Sequence, residues 1–151
     1  MTFAELLQAI SADIHVDLNK AVDSGGCAIR FENNVAINIE CQNDEVYLFS
    51  PVMRTADILS DDFFASLLQI HLFGVATERC WFGFDASGNQ VILFHMITLS
   101  NMDTATVIKR IETLITQVQY WQENLPKIAN RMPLHSITQA STDRYRYRGS
   151  T

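Results

Sequence analysis

The spacing of apolar and polar residues divides the chain into eight predicted elements joined by turns. Near the N-terminus, Phe3, Leu6, Leu7, Ile10 and Ile14 recur at the i, i+3, i+4, i+7 spacing of one helical face. Thr2-Phe3-Ala4-Glu5 has capping-box spacing, in which a hydroxyl and a carboxylate each satisfy a free backbone N–H at the helix start. Residues 15–26, ending in Ser24-Gly25-Gly26, read as a loop. Next, Cys27, Ile29 and Phe31 alternate with Ala28, Arg30 and Glu32. Val35, Ile37, Ile39 and Cys41 alternate with Ala36, Asn38, Glu40 and Gln42. This period of two predicts antiparallel strands with one buried face, turning at Asn33-Asn34 and at Gln42-Asn43-Asp44. A third strand covers Glu45 to Ser50 and ends before Pro51, leaving 51–60 as a loop.

Ser60 or Asp61 can cap a second helix that runs to about Phe73 and stops at Gly74. Its apolar residues (Phe63, Phe64, Ala65, Leu67, Leu68, Ile70, Leu72 and Phe73) occupy most of the circumference. Such a helix must be buried on nearly all sides, and a domain of this size has little interior to offer it. Part of that surface is therefore expected to be covered by another chain. A hairpin follows, with strands Glu78 to Asp85 and Gln90 to Leu99 about the turn Asp85-Ala86-Ser87-Gly88-Asn89. The second of these strands is apolar on both faces, which places it centrally. A third helix starts near Asp103 behind a Ser100 or Asn101 cap. It keeps a stripe from Val107 through Ile111, Leu114, Val118 and Trp121 to Leu125, and Pro126 marks its end. The order α-β-β-β-α-β-β-α implies an α+β sandwich, a twisted antiparallel sheet covered by helices. Residues 1–130 form one domain, and 131–151 are a polar, partly basic tail expected to be mobile.

Composition narrows the function classes. Residues 1–130 carry 16 acidic and 7 basic side chains, a balance of −9, whereas 131–151 carry 1 and 4, a balance of +3. So acidic a body argues against nucleic acid as the main partner and against an anionic membrane surface, because both require clustered Lys and Arg. No run approaches the ~18 apolar residues of a spanning helix, and no basic segment followed by an apolar one suggests a secretory signal. Cys27, Cys41 and Cys80 are an odd number, read as free thiols in a reducing cytoplasm.

Candidate chemistry is sparse. A Cys80–His95 pair across the hairpin would resemble a thiol–imidazole dyad, but nothing in the sequence supplies an orienting third residue or an oxyanion site. Cys27 and Cys41 lack metal-ligand spacing and read as small core hydrophobes. Gly25-Gly26 is not followed by a P-loop Lys-Ser or Lys-Thr. Asp61-Asp62 suits a helix N-terminus and Asp44-Glu45 a turn. No catalytic residue, metal or cofactor is expected. Arg144-Tyr145-Arg146-Tyr147-Arg148 could stack on nucleotides, dock on the acidic body or remain solvated. The surplus of apolar surface points instead to protein partners.

The chain resembles the Tir chaperone family, the class I chaperones of type III secretion, over residues 2–128. The likeness lies in Phe3-Ala4-Glu5-Leu6-Leu7, in Cys27-Ala28-Ile29-Arg30-Phe31 followed by Val35-Ala36-Ile37-Asn38-Ile39, and in Phe63-Phe64-Ala65-Ser66-Leu67-Leu68. Phe82-Gly83-Phe84 and Val91-Ile92-Leu93 complete it. The resemblance implies a cytoplasmic homodimer in a Gram-negative bacterium that binds the extended N-terminal segment of a secreted effector. It nominates Phe64, Leu67, Leu68, His71, Leu72 and Trp81 for the dimer interface. For the effector groove it nominates Phe3, Leu7, Ile10, Ile29, Ile37, Ile39 and Leu48. The export ATPase of the secretion system is a further candidate partner. The competing reading is a dimeric interaction adaptor of the same fold that binds a folded partner outside secretion.

Overall fold

The computed structural model describes residues 1–31, 34–55 and 60–131. Helix α1 (Phe3–Ile14) opens with the expected capping box: Thr2 Oγ1 accepts from the Glu5 N–H, and the Glu5 carboxylate accepts from the Thr2 N–H at 2.7 Å. Its stripe buries Leu6, Leu7 and Ile10, and the helix ends at His15 in the left-handed region. Residues 15–26 are not all loop, because Asn19–Ser24 form a short helix, α2. Burial of Leu18 and Ala21, an Asp17 carboxylate accepting from the Asn19 N–H, and Gly25 at φ 76° define this single turn and a half.

Five antiparallel strands make one sheet in the order β1-β2-β3-β5-β4. They are β1 (Gly26–Arg30), β2 (Ala36–Gln42), β3 (Glu45–Arg54), β4 (Trp81–Asp85) and β5 (Gln90–Thr98). Alternation holds along β3, where Val46, Leu48, Ser50 and Val52 are buried and Tyr47, Phe49 and Met53 are not. The Ser50 hydroxyl donates to the Ala36 carbonyl at 2.7 Å, so its burial leaves nothing unsatisfied. The tight turn Asn43-Asp44 joins β2 to β3, with Asn43 at φ 59°. The expected Asn33-Asn34 turn lies partly outside the described residues.

β3 does not stop before Pro51. It continues to Arg54, and its register against β5 shifts between Pro51 and Met53. Pairing with β2 ends at Phe49, so Pro51 has one strand neighbour and its missing N–H sits at an irregularity, where proline is tolerated. β4 begins at Trp81, not Glu78, because Glu78 and Arg79 adopt positive φ in a turn.

Helix α3 (Asp61–Ile70) is capped by Ser60, whose hydroxyl accepts from the Phe63 N–H. It ends earlier than expected. His71 is its C-cap, and a 3-10 turn, Leu72–Gly74, follows with Phe73 at φ 60°. Helix α4 (Thr104–Arg131) is capped by neither Ser100 nor Asn101. Leu99–Asn101 form a 3-10 turn, and the Asp103 carboxylate accepts from the Thr106 N–H at 2.7 Å. α4 also passes through Pro126. An internal proline costs about 3 kcal/mol, and the packing of Leu125, Ile128 and Ala129 on the core offsets that loss.

α4 lies across β3 and β5, with α1 beside it. One core joins Leu6, Ile37, Leu48, Leu93, Ile97, Leu114 and Leu125. Among the described residues only one sheet face is covered. On the other, Ile92 and Phe94 of β5 are half-buried and Met96 is exposed. The apolar character of β5 on both faces reflects its interior place, between β3 and β4, and not two covering layers. Residues 132–151, including Arg144 to Arg148, lie outside the described residues.

Candidate functional site

Two surfaces at opposite edges of the sheet remain unfilled among the described residues. The first surrounds the junction of α3 and β4. Phe63 and Leu67 point into the core, while Leu68 is 64% exposed, Leu72 55%, Phe73 83% and Val75 80%. The backbone here is constrained. Phe73, Gly74, Glu78 and Arg79 all have positive φ, and a Cβ on Gly74 would sit 3.0 Å from the Trp81 ring. Non-glycine residues in that region carry strain of order 1–3 kcal/mol, held here by surrounding contacts. His71 Nδ1 accepts from the Phe82 N–H at 2.8 Å. Its ring stacks on Phe82 at 5.7 Å and meets Trp81 edge-on at 5.6 Å. Phe64 meets the exposed Phe84 ring at 5.3 Å, so the patch runs from α3 on to β4.

Of the residues nominated for a dimer interface, Leu68 and Leu72 are exposed. Phe64, His71 and Trp81 are half-buried beside them, and Leu67 is buried behind. Val75 was missed, and Phe73, although counted in the apolar circumference of the second helix, was not nominated for the interface. The sequence pattern placed Phe73 on a continuing helix and Val75 in a connection, and neither location signals exposure.

The second surface is the free edge of β1. The Cys41 N–H donates to the Gly25 carbonyl and the Phe31 N–H to the Val35 carbonyl. In an antiparallel ladder hydrogen-bonding residues alternate, so odd-numbered β1 residues bond toward β2. The N–H and C=O of Ala28 and Arg30 therefore point away from the sheet, and among the described residues neither has a backbone partner there. Past Arg30 the edge meets a cleft of about 540 Å³ between the end of α1, Phe31 and the middle of α4. Ile14, Val16, Phe31 and Ile115 supply its apolar lining, and Asp13, Arg30 and Glu112 its charges.

The residues nominated for an effector groove are placed differently. Leu7, Ile10, Ile29, Ile37, Ile39 and Leu48 are each 3% exposed or less and form the core between sheet and helices, while Phe3 is half-buried. A ligand meeting this conformation touches the surface around those six side chains, not the side chains themselves. Strand alternation selects the core-facing row, and a free backbone edge leaves no mark in side-chain pattern.

The candidate dyad is not arranged for nucleophilic chemistry. Cys80 is buried, and burial, with Glu78 nearby, pushes its thiol up to about 12, against a weaker opposing pull from Arg110. A thiol nucleophile needs the opposite shift. His95 Nδ1 lies 2.9 Å from the Arg79 carbonyl. Burial likewise raises the Cys27 and Cys41 thiols. Among the described residues no helix is long and apolar enough to cross a membrane.

The sequence profile of the Tir chaperone protein (CesT) family matches residues 5–122. Among solved structures the chain is similar to the ExsC–ExsE complex, with a TM-score of 0.65 at 19% identity over 80% of this chain and 91% of that one. It is similar to the HopA1–SchA chaperone–effector complex, with a TM-score of 0.64 at 18% identity over 80% and 93%. The heterodimeric ExoU–SpcU complex from the type III secretion system of Pseudomonas aeruginosa gives 0.60 at 11% identity over 78% and 92%. At these identities the likeness is one of fold. No curated protein matches the chain by sequence.

Proposed function

Because the chain belongs to the Tir chaperone protein (CesT) family, we propose that it is a type III secretion chaperone. In this reading it is a cytoplasmic, non-catalytic homodimer that holds the N-terminal segment of an effector extended and delivers it to the export apparatus. The family match over residues 5–122 carries the reading, and the two unfilled surfaces give it a mechanism. The HopA1–SchA neighbour, a chaperone with its effector, supports the same assignment.

The dimer seam is the α3–β4 corner. Fully burying an aliphatic or aromatic side chain gains at most about 2–3 kcal/mol, so Leu68, Leu72, Phe73 and Val75 together offer roughly 8–12. Association costs roughly 4–15 kcal/mol. A symmetric seam buries those four on both protomers, which about doubles that upper bound on the gain, and the seam extends over Trp81 and Phe84, which are continuous with α3. An isologous interface repeats each contact twice.

The client adds a strand at the β1 edge, hydrogen-bonding to Ala28 and Arg30. It then places an apolar side chain in the cleft against Ile14 and Ile115. Main-chain pairing supplies affinity with little sequence demand, and the cleft supplies selection. Two such sites in one dimer provide avidity.

The experiment is affinity capture of the tagged protein from its native bacterium, followed by truncation of whatever copurifies. One larger protein, still bound when reduced to its N-terminal segment, is the expected outcome. A partner that binds only when folded supports the adaptor reading and overturns this one.

A further inference from the structure

We infer that His71 is an acid-sensitive latch on the α3–β4 corner, so that its protonation weakens the seam between two copies of the chain; this rests on the dimer reading above. The inference comes from the direction of one hydrogen bond. Phe82 N–H donates to His71 Nδ1 at 2.8 Å. A backbone amide is only a donor, so Nδ1 must carry its lone pair and the ring's proton sits on Nε2. Protonation places a second N–H at Nδ1, facing the first. The acceptor is lost, the two donors repel, and the ring must leave its stack on Phe82 and its edge contact with Trp81.

His71 is also the C-cap of α3. Its own N–H bonds to the Leu67 carbonyl at 3.1 Å, and its carbonyl accepts from Gly74 at 2.8 Å. Displacing the ring therefore disturbs the segment that presents Leu68, Leu72 and Phe73.

A second histidine at the same corner responds differently. His95 Nδ1 lies against the Arg79 carbonyl, an acceptor, so it donates in the matching neutral tautomer and in the cation alike. Acid leaves that bond intact and breaks the one at His71. The charged groups on the elements around the His71 ring are Asp61 and Asp62 on α3, Glu78 and Arg79 in the turn, Asp85 on β4, and, among the described side chains of α4, Lys109, Arg110, Glu112, Glu123 and Lys127. Burial alone lowers its pKa below the usual 6.5. The latch is therefore closed above that value and opens as pH falls through the lower, folded one.

The test pairs an NMR titration with sedimentation equilibrium on the full chain. The His71 ring and the Phe82 amide are expected to titrate together. The dimer dissociation constant should rise about tenfold between about pH 7.5 and 5 for each of the two latches in a symmetric dimer, as for loss of one hydrogen bond apiece. His71→Asn sets an amide oxygen where Nδ1 lies and cannot be protonated in this range, so its dimer should not respond to pH. A Phe82 amide indifferent to His71 overturns the latch, as does a His71→Asn dimer that weakens as much as the wild type. A protein that is monomeric throughout sinks the dimer reading instead, and the paired titration of the wild-type chain still decides whether the latch exists. The same titration decides it if the variant does not fold.

Discussion

Helices α1 and α3 are similar in length and both start from a hydroxyl cap, yet they spend their apolar residues in opposite ways. α1 sends Leu6, Leu7 and Ile10 wholly into the core and gives solvent its polar side. α3 buries Phe63 and Leu67 in the core, packs Phe64 and Ile70 partly against it, and leaves Leu68 on the outside, with Leu72, Phe73 and Val75 just beyond it. The apolar residues of α1 form a stripe, and a stripe is satisfied by one core. Those of α3 run round the helix, so a single core can satisfy only half of them. Among the described residues nothing covers that side, and burying it is the free energy that the proposed dimer would recover.

This contrast is most exposed to a charge at Leu68. Leu68→Glu should abolish the dimer while far-UV circular dichroism stays native. Each carboxylate buried in an apolar seam costs above about 4 kcal/mol, and a symmetric seam buries two. Light scattering is expected to give the monomer mass. An unchanged dimer would mean that the exposed side of α3 is not the seam. Truncation on the two helices sharpens the same point. Leu7→Ala should cost about 2–5 kcal/mol in urea unfolding of the monomer, the range for emptying a packed site. Leu68→Ala should change monomer stability by under about 0.5 kcal/mol. Equal costs would show that both leucines are core.

How far this organisation could be read from sequence depends on whether a feature is local and periodic. The capping box at Thr2 and Glu5, the α1 stripe, the alternation in β2 and β3 and the Asp85–Asn89 turn are all of that kind. So is the apolar circumference of α3, which announced a need for cover. What escaped was decided elsewhere in the fold. α2 is too short to show a period. Proline penalties at Pro51 and Pro126 are outweighed by a sheet irregularity and by Leu125 packing, neither visible locally. Glu78 and Arg79 adopt positive φ without a glycine to signal it. For the site, periodicity identified the core row of β1, β2 and β3. The proposed docking edge is made of the outward N–H and C=O groups of Ala28 and Arg30, and side-chain pattern does not report backbone direction.

That edge yields a prediction of intermediate size. Ala28→Pro removes an N–H that points away from β2, so the sheet should persist. Client affinity should fall about tenfold, measured by calorimetry with the effector's N-terminal segment, because one main-chain hydrogen bond is lost. Ile29→Pro deletes an N–H directed at Ile37 and should unfold the sheet margin instead. If the two variants bind alike, the client does not pair with β1.

The smallest expected effect lies at the start of α1. Thr2→Ala removes the hydroxyl that accepts from the Glu5 N–H and should cost about 1 kcal/mol in thermal or urea unfolding. Glu5 answers to pH in the same motif. Its hydrogen bonds to the Thr2 backbone and side chain hold its carboxyl below the usual 4.5. A carboxylate whose pKa is depressed on folding stabilises the folded chain above its unfolded value, and that contribution disappears as pH falls through the folded one. The cost of Thr2→Ala should therefore shrink in acid, where the wild-type box has already lost its charged half. α3 has a Ser60 cap with Phe63, which has no carboxylate, at the position that Glu5 holds in α1, so a Ser60→Ala cost should depend less on pH. If the two caps instead respond equally to acid, the reciprocal bond at Glu5 contributes nothing to α1. What separates the two helices would then be their apolar faces alone.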